Sequence, residues 1–285
     1  ACGWEGRETE GAPIAGASVP GRGGDVGLAS ILPRLTGVMI FGDSWAEDGS
    51  KASVGVTAGV CGWPVHLARE LGLPVVGNFA VGQSESPSLV RQVRTAAKGC
   101  GCKADWSQYL IILHCGGNDF IGAERGYNPL RTDNFWLAHC TFGFERKANE
   151  VIDNTYSFLS LMHAHGCRHF MVSELPFTSA VPVLEVARLA FVDQRGRWLV
   201  DRLQGMLQDF EKEHRGAGSP GSDVWAAQVP EVGVLNRLLR ERKGGRLELF
   251  LRDGFHPTDL FHGILARAYL EALGAPTSAT PTLPG

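Results

Sequence analysis

The sequence predicts a three-layer α/β/α sandwich with a central, mainly parallel sheet of five strands. Short apolar runs alternate about five times with segments whose apolar residues recur at helical spacing. The run from Tyr109 to Leu113 is almost unbroken in its apolar character, which is typical of a strand covered on both faces. With 285 residues, 44% of them hydrophobic, the chain is long enough to bury such a core in one domain with insertions.

The first part of the chain predicts two strands that end in small or polar residues. Residues 1–36 are rich in Gly and Pro without a period, so we expect an irregular arm. The first strand, Val38 to Phe41, leads to Ser44, and a glycine-rich loop and a helix from Trp63 to Gly72 follow. Val75 and Val76 then lead into a second strand, which we expect to end at Gly82.

The later elements continue the same alternation and complete one domain over residues 37–274, followed by a tail over 275–285. We expect insertions near residues 120–144 and 177–190, because those stretches are long and mixed in character. The remaining predicted elements are a helix opened by Pro87, the strand Tyr109–Leu113, a helix over 145–165, a strand over 170–172, a helix over 184–213, a strand over 224–229, a helix over 234–242, a strand or extended segment over 247–251 and a helix over 260–273.

Charge and composition exclude several classes of partner. The formal net charge of -3 gives no basic footprint for a nucleic acid. No apolar run approaches the roughly 18 residues of a membrane span, so we expect no transmembrane segment. The N-terminus lacks a charged stretch followed by an apolar one, and a leader removed earlier stays an open alternative. Neither partner protein nor oligomeric state is indicated.

The seven cysteines do not predict a metal site. Cys100 and Cys102 flank one glycine, and no second close pair completes a four-ligand zinc site. One or two disulfides in an oxidising compartment would leave at least one thiol unpaired within the chain. No Asn is followed at the second position by Ser or Thr, so the usual acceptor for an N-linked glycan is missing.

Polar residues with catalytic potential follow the apolar strands: Ser44, Gly82, Asn118, Asp253 and His256. The carboxyl ends of parallel strands meet at one edge of a sheet, so residues distant in sequence converge there. A serine needs a base to accept its proton, and the base needs a third group to fix its tautomer. Asp253, three positions before His256, can hold that imidazole. Gly82 lets a substrate approach its backbone N–H, and Asn118 can donate to an oxyanion.

Each of these residues also has a purely structural interpretation. Ser44 could cap a helix, Asn118 could stabilise a turn, and Gly82 alone is more often a turn glycine. Cys115 lies among apolar residues, which indicates a buried, inert thiol. Six histidines without a comparable partner are expected to be structural or at the surface: His114, His139, His163, His165, His169 and His262. Four aromatic residues could line the pocket, although aromatic residues at strand ends more often belong to the core: Trp45, Trp136, Phe120 and Phe255.

The four stretches together resemble the GDSL family of serine esterases, also called SGNH hydrolases. The matching residues are Ser44 in FGDSWAEDG, Gly82 in NFAVGQS, Asn118 in GGND and His256 in DGFHPTD, with Asp253 at the position of the family's triad acid. The blocks occur in the family's order. The resemblance implies a cofactor-independent ester hydrolase with the triad Ser44, His256 and Asp253 and an oxyanion hole formed by Ser44, Gly82 and Asn118.

The residues within the four blocks are most similar to those of the plant-type and fungal acetylesterase branches. This similarity implies short acyl esters of carbohydrates or lipids as substrates. Two departures are Gln83, where those branches often carry glycine, and Asp48, shifted by one position. An acyltransferase with the same triad and a catalytically silent binding subunit stay open as alternatives. The resemblance favours a secreted or lumenal compartment, whereas the missing glycan acceptor and the odd thiol count do not.

Overall fold

Five parallel strands form the central sheet of this structure, a computed structural model that describes residues 27–49, 57–100, 105–121, 144–186, 192–215, 223–240 and 246–275. In chain order the strands are β1 (Gly37–Gly42), β2 (Val75–Asn78), β3 (Tyr109–His114), β4 (His169–Ser173) and β5 (Trp225–Val229). Their spatial order is β2-β1-β3-β4-β5, and every neighbouring pair runs parallel. β1 is buried along its whole length, as the unbroken apolar run requires.

Helices cover both faces of the sheet. The α-helices are α1 (Leu28–Ile31), α2 (Trp63–Glu70), α3 (Leu89–Cys100), α4 (Gly117–Ile121), α5 (Phe144–Ala164), α6 (Pro182–Val186), α7 (Val192–Glu213), α8 (Glu231–Arg240) and α9 (Asp259–Ala272). Helix α9 packs against α2 and α8, whereas α5 packs against α3 and α7. These two groups form the outer layers, so the predicted α/β/α sandwich with its parallel five-stranded sheet is confirmed.

Single 3₁₀ turns lie between several of these elements, at Leu32–Arg34, Ser86–Ser88, Trp106–Gln108 and Arg246–Leu249. The last of them differs from the strand or extended segment expected over 247–251. There the chain makes only one bridge, between Phe250 and Pro257, so it supplies a turn and no further strand of the sheet. No helix in the described part of the chain is long and apolar enough to span a bilayer.

Three other boundaries differ from the sequence prediction. The end of the arm is helical over residues 28–34, because Leu28 and Ile31 bury their side chains in the core. Strand β2 ends at Asn78 and not at Gly82, although backbone bonds from Phe79 and Val81 to β1 continue the extended path. Helix α6 ends at Val186, and residues 187–190 and 122–143 of the expected insertions lie outside the described residues.

The order of the strands determines where a site can form. Strand order reverses between β1 and β3, and open α/β sheets bind ligands at such a switch point beyond the carboxyl ends of the strands. Gly42 and His114 end these two strands opposite each other. Gly42 has φ +138°, and a Cβ there would lie 1.9 Å from the His114 carbonyl oxygen, so only glycine allows this close approach.

Candidate active site

Ser44 lies in the turn that follows β1, and neighbouring side chains fix the shape of that turn. The Oδ1 atom of Asp43 accepts a hydrogen bond from the backbone N–H of Trp45 at 3.1 Å. Gln92, from α3, reaches the start of the turn: its side-chain oxygen accepts from the Gly42 N–H at 2.9 Å, and its amide donates to the Gly42 carbonyl at 2.7 Å. The serine is therefore presented on a turn with little conformational freedom.

The Ser44 hydroxyl oxygen lies 2.7 Å from Nε2 of His256, although 212 positions separate the two residues. His256 occupies a turn just before α9, where Leu251 N–H donates to the His256 carbonyl at 2.7 Å. Gly254 takes φ +66° in that turn, and the Thr258 side chain caps α9. The His256 residue is thus supported by a capped helix on one side and a backbone hydrogen bond on the other.

Asp253 holds the opposite nitrogen of His256. Its Oδ2 lies 2.5 Å from Nδ1, and its Oδ1 accepts hydrogen bonds from the backbone N–H groups of Phe255 and His256. Burial raises the pKa of the Asp253 carboxyl, but the hydrogen bonds and the His256 charge outweigh burial and leave that pKa below its usual value. Asp253 is therefore ionised over the neutral pH range and orients the imidazole with Nε2 towards Ser44.

The other two predicted residues are Gly82 and Asn118. Asn118 is linked to the segment just after Gly82 through Ser84. The Asn118 side-chain amide donates to the Ser84 carbonyl at 3.0 Å, which occupies one of its two N–H bonds. The Gln92 amide that reaches Gly42 also lies 3.2 Å from the Ser84 hydroxyl. A single glutamine side chain therefore connects the turn of the nucleophile with the segment that carries the candidate oxyanion donors.

Gln83 adopts φ +65°. Among the residues that the structure describes, it is the only one other than glycine with a positive φ. This is the left-handed conformation that glycine takes without strain. The departure from the family pattern at this position therefore preserves the backbone shape next to Gly82 at the expense of local strain. Asp48, the other departure, forms an isolated antiparallel bridge with Cys61.

Glu47 contacts the same segment. Its carboxylate lies near the Gly82 backbone N–H and the Thr57 side chain. A Cβ added at Gly82 would lie 3.1 Å from Oε2 of Glu47. Burial raises the pKa of the half-buried Glu47 carboxyl, and these two neighbouring polar groups oppose the rise only in part.

A buried ion cluster next to the turn that carries Ser44 was not expected from the sequence. His114 lies with Nδ1 3.0 Å from Oδ1 of Asp43 and Nε2 3.2 Å from Oε2 of Glu231. The second contact lacks hydrogen-bond geometry and is purely ionic, whereas the Ser173 hydroxyl donates to Glu231 at 2.5 Å. Burial lowers the pKa of His114, but the two carboxylates outweigh it and raise that pKa to about 10. His114 is therefore a cation at neutral pH.

A second polar cluster anchors Asn118 through its neighbour Asp119. The Asp119 carboxylate accepts hydrogen bonds from both the backbone N–H and the hydroxyl of Ser86, at 2.8 and 2.7 Å. Asn154 of α5 donates to the same hydroxyl at 2.9 Å. Burial raises the pKa of Asp119 to about 6, against the effect of the Ser86 bonds. This cluster holds the short helix α4, which carries Asn118, against the preceding segment.

The remaining predicted residues are mostly structural where the chain is described. Cys115 is buried, as expected, and Trp45 and Phe120 are buried in the core. Trp45 stacks on the His114 ring, and Phe255 packs edge-on to His256. His139 and Trp136 lie outside the described residues. Within the described ranges, no group of three His, Cys, Asp or Glu side chains is arranged to hold a metal ion.

Comparisons with known proteins agree with this architecture. A family model described as the GDSL-like Lipase/Acylhydrolase family matches residues 40–264. The fold resembles Axe2, an acetyl xylan esterase from Geobacillus stearothermophilus, with a TM-score of 0.50 and 18% identity over 85% of this chain and 97% of the other. The protein YXIM from Bacillus subtilis gives a TM-score of 0.50 and 15% identity over 84% of this chain and 56% of the other. No curated protein matches the chain significantly by sequence.

Proposed function

The chain belongs to the GDSL-like lipase/acylhydrolase family and is a carboxylic ester hydrolase, and on that premise we propose that Ser44, His256 and Asp253 are its catalytic triad. The single observation that carries this proposal is the 2.7 Å contact between the Ser44 hydroxyl and Nε2 of His256. That distance lies within the range a general base needs to take a proton.

In the proposed reaction the Ser44 oxygen attacks the acyl carbonyl carbon while its proton passes to Nε2 of His256. The tetrahedral intermediate collapses when His256 returns that proton to the leaving alcohol, which leaves an acyl group on Ser44. Water then attacks the acyl-enzyme, His256 again accepts a proton, and the carboxylic acid and free Ser44 are released. Asp253 keeps its charge throughout and stabilises the imidazolium that forms twice in each cycle.

The proposed oxyanion hole consists of the backbone N–H groups of Ser44 and Gly82 and the side-chain amide of Asn118. Ser44, Gly82 and Asn118 each follow the carboxyl end of a strand of the sheet, namely β1, β2 and β3. Each hydrogen-bond donor that is already in position around the developing charge lowers the activation barrier by on the order of 3 kcal/mol. The bonds from Gln92 and Asp119 support the proposal, because they hold the segments that carry these donors.

For the substrate we propose short acyl esters, with acetyl esters of carbohydrate or lipid alcohols first. The resemblance of the four sequence blocks to the plant-type and fungal acetylesterase branches is the basis for this choice. Phe255, which packs edge-on to His256, and the polar Glu47 lie beside the proposed triad. An apolar wall beside a polar group suits a small acyl chain on a hydroxylated alcohol.

A panel of 4-nitrophenyl esters of increasing acyl length tests the proposal. Ser44→Ala is expected to lower kcat by at least about 10⁴-fold and to abolish labelling by a fluorophosphonate. Ser30→Ala is the matched control, since Ser30 is exposed and its hydroxyl only donates to Gly27. Full activity in Ser44→Ala would refute the triad. Formation of a new ester when an alcohol is added would identify an acyltransferase instead.

A further inference from the structure

His114, the last residue of β3, contacts both residues that flank Ser44 in the chain. Its backbone carbonyl accepts a hydrogen bond from the Asp43 N–H at 2.9 Å, and its ring nitrogen Nδ1 lies 3.0 Å from Oδ1 of Asp43. The same ring stacks on Trp45, with the ring centroids 5.4 Å apart and the planes within 2° of parallel. His114 therefore fixes the chain immediately before and immediately after the candidate nucleophile.

A single oxygen atom joins these contacts. Oδ1 of Asp43 accepts the hydrogen bond from Nδ1 of His114 and also the one from the Trp45 backbone N–H at 3.1 Å. A carboxylate oxygen has enough lone pairs to accept both. The bond between Asp43 and Trp45 closes the turn whose middle residue is Ser44. The donor on His114 therefore holds the oxygen that closes this turn.

The Asp43 carboxylate depends on this donor because it is buried. Asp43 is 3% exposed and His114 1% exposed, so water does not replace a lost partner. A buried carboxylate is stable only when it is paired with a charge and hydrogen-bonded. Without the imidazolium, the carboxylate has to take up a proton or turn towards another donor. Either change weakens its bond to the Trp45 N–H and loosens the turn.

The position of this turn matters twice in the proposed reaction, because Ser44 supplies both the attacking hydroxyl and a backbone N–H to the oxyanion hole. The hydroxyl lies 2.7 Å from Nε2 of His256, and proton transfer requires about 2.6–3.2 Å between such atoms. A displacement of about 1 Å in a reacting group can cost on the order of 10²-fold in rate. A loosened turn therefore lowers the rate even when the triad residues are all present.

We propose that His114 is a positioning residue for the reaction, which holds the Ser44 hydroxyl and N–H in place through its hydrogen bond to Asp43 and its stacking on Trp45. This inference rests on the proposed function, since it needs Ser44 to be the nucleophile. His114 acts through the two neighbours of Ser44 and does not contact the substrate. Glu231 lies 3.2 Å from the opposite ring nitrogen and holds His114 from the other side.

The test compares His114→Asn with His114→Gln, two neutral amides that remove the same charge. The Asn amide nitrogen lies as many bonds from the backbone as Nδ1 and can donate to Asp43, whereas the Gln amide nitrogen corresponds to Nε2 and reaches towards Glu231. On an activated acetyl ester we expect kcat to fall roughly 10²-fold in His114→Gln and less than about tenfold in His114→Asn. KM is expected to stay within about threefold of wild type in both variants, because neither removes a group that binds the substrate.

Asp43→Ala measures the same dependence with His114 left in place, because it removes the oxygen that both bonds share. We expect kcat to fall roughly 10²-fold with little change in KM. The double variant Asp43→Ala/His114→Gln is expected to lose no more than the larger of the two single losses, since both substitutions break one contact. Circular dichroism at the assay temperature gives the folded fraction by which each kcat is corrected. If His114→Gln does not fold, Asp43→Ala decides the question.

The matched control is Glu231→Gln, which removes the charge at the opposite ring nitrogen and keeps an oxygen for the Ser173 hydroxyl. It is expected to lower stability but to keep kcat within about threefold. A loss of kcat as large as that of His114→Gln, equal losses in the two His114 amides, or kcat within about threefold in Asp43→Ala overturns the inference. Failure of the wild-type enzyme to react with a fluorophosphonate overturns the proposed triad instead, so the two failures can be told apart.

Discussion

Asp253 binds His256 twice: Oδ2 lies 2.5 Å from the ring nitrogen Nδ1, and Oδ1 accepts the backbone N–H of the same residue at 3.0 Å. The ring and the backbone of the base are therefore held by one carboxylate. Gly254, with its φ of +66°, supplies the tight turn that brings the carboxylate back onto a residue three positions later.

Asp253→Asn is expected to lower kcat by roughly 10²- to 10⁴-fold. The amide can donate to Nδ1 and thereby select the tautomer whose proton sits on Nε2, which cannot accept the Ser44 proton. Asp259→Asn is the control, because Asp259 lies in the same region but binds Cys61 and His66. Steady-state kinetics measure both variants. Near wild-type kcat in Asp253→Asn would show that His256 does not depend on this carboxylate.

Asn118→Ala is expected to raise the barrier by about 3 kcal/mol, or to lower kcat/KM by roughly 10²-fold, because one oxyanion donor is removed. Asn154→Ala provides a matched comparison. Asn154 is also an asparagine that donates to this region, through the Ser86 hydroxyl, but it is not a proposed donor to the oxyanion. We expect it to retain kcat/KM within about threefold. Equal losses in the two variants would assign Asn118 to support of the fold.

Because of the buried His114, the free energy of unfolding is expected to depend on pH in the alkaline range. Its pKa is about 10 in the folded chain and 6.5 as the ordinary value, so its stabilising effect is complete below about pH 6.5. Between these values the folded state keeps a proton that the unfolded state has lost. The free energy of unfolding should therefore fall with rising pH, by up to about 1.4 kcal/mol per pH unit for this proton.

His114→Gln tests this dependence by urea unfolding at several pH values. The variant is expected to be less stable by about 3–5 kcal/mol near neutral pH, since Asp43 and Glu231 lose the cation between them. Its free energy of unfolding should also decline less steeply between about pH 7 and pH 9. His165→Gln, at an exposed position in the turn after α5, should keep the wild-type slope. Identical slopes in the wild type and His114→Gln would contradict an imidazolium at this site.

Gln83 offers a test of backbone strain beside the proposed oxyanion hole. Gln83→Val is expected to lower the free energy of unfolding by about 1–2 kcal/mol, because a β-branched residue tolerates the left-handed region poorly. Gln83→Gly should stay within about 0.5 kcal/mol of wild type, since relief of strain offsets the greater freedom of glycine in the unfolded chain. Thermal or urea unfolding measures both, with Gln83→Asn as a tolerated polar control. Equal stability of the Val and Gly variants would refute strain at this position.

The alternation of apolar runs and helical segments was enough to predict the layers and the parallel sheet, because buried parallel strands leave a clear local pattern. The position of Ser44 after β1 could be predicted for a related reason, because the carboxyl ends of parallel strands meet at one edge of the sheet. The turn before α9 follows a 3₁₀ turn and no strand, so this rule does not explain the position of Asp253 and His256. The ends of β2 and the helical residues 28–34 could not be predicted, because packing on the core decided them.

The side-chain contacts that could not be predicted from the sequence are mainly those between residues far apart in the chain. His114 looked structural because nothing near it in sequence could pair with it, and its partners Asp43 and Glu231 lie 71 and 117 positions away. An ionisable residue at the end of an apolar strand was the available signal, since such a group has to find a charge when it is buried.

The distance along the chain between Ser44 and His256 also has a meaning during synthesis. A ribosome delivers the serine, its turn and both other candidate donors long before the segment that contains the imidazole, 212 positions after Ser44. The nascent protein can close most of its sheet while the hydroxyl still has no proton acceptor. The proposed triad is therefore completed only after α9 folds onto α2 and brings His256 to Ser44.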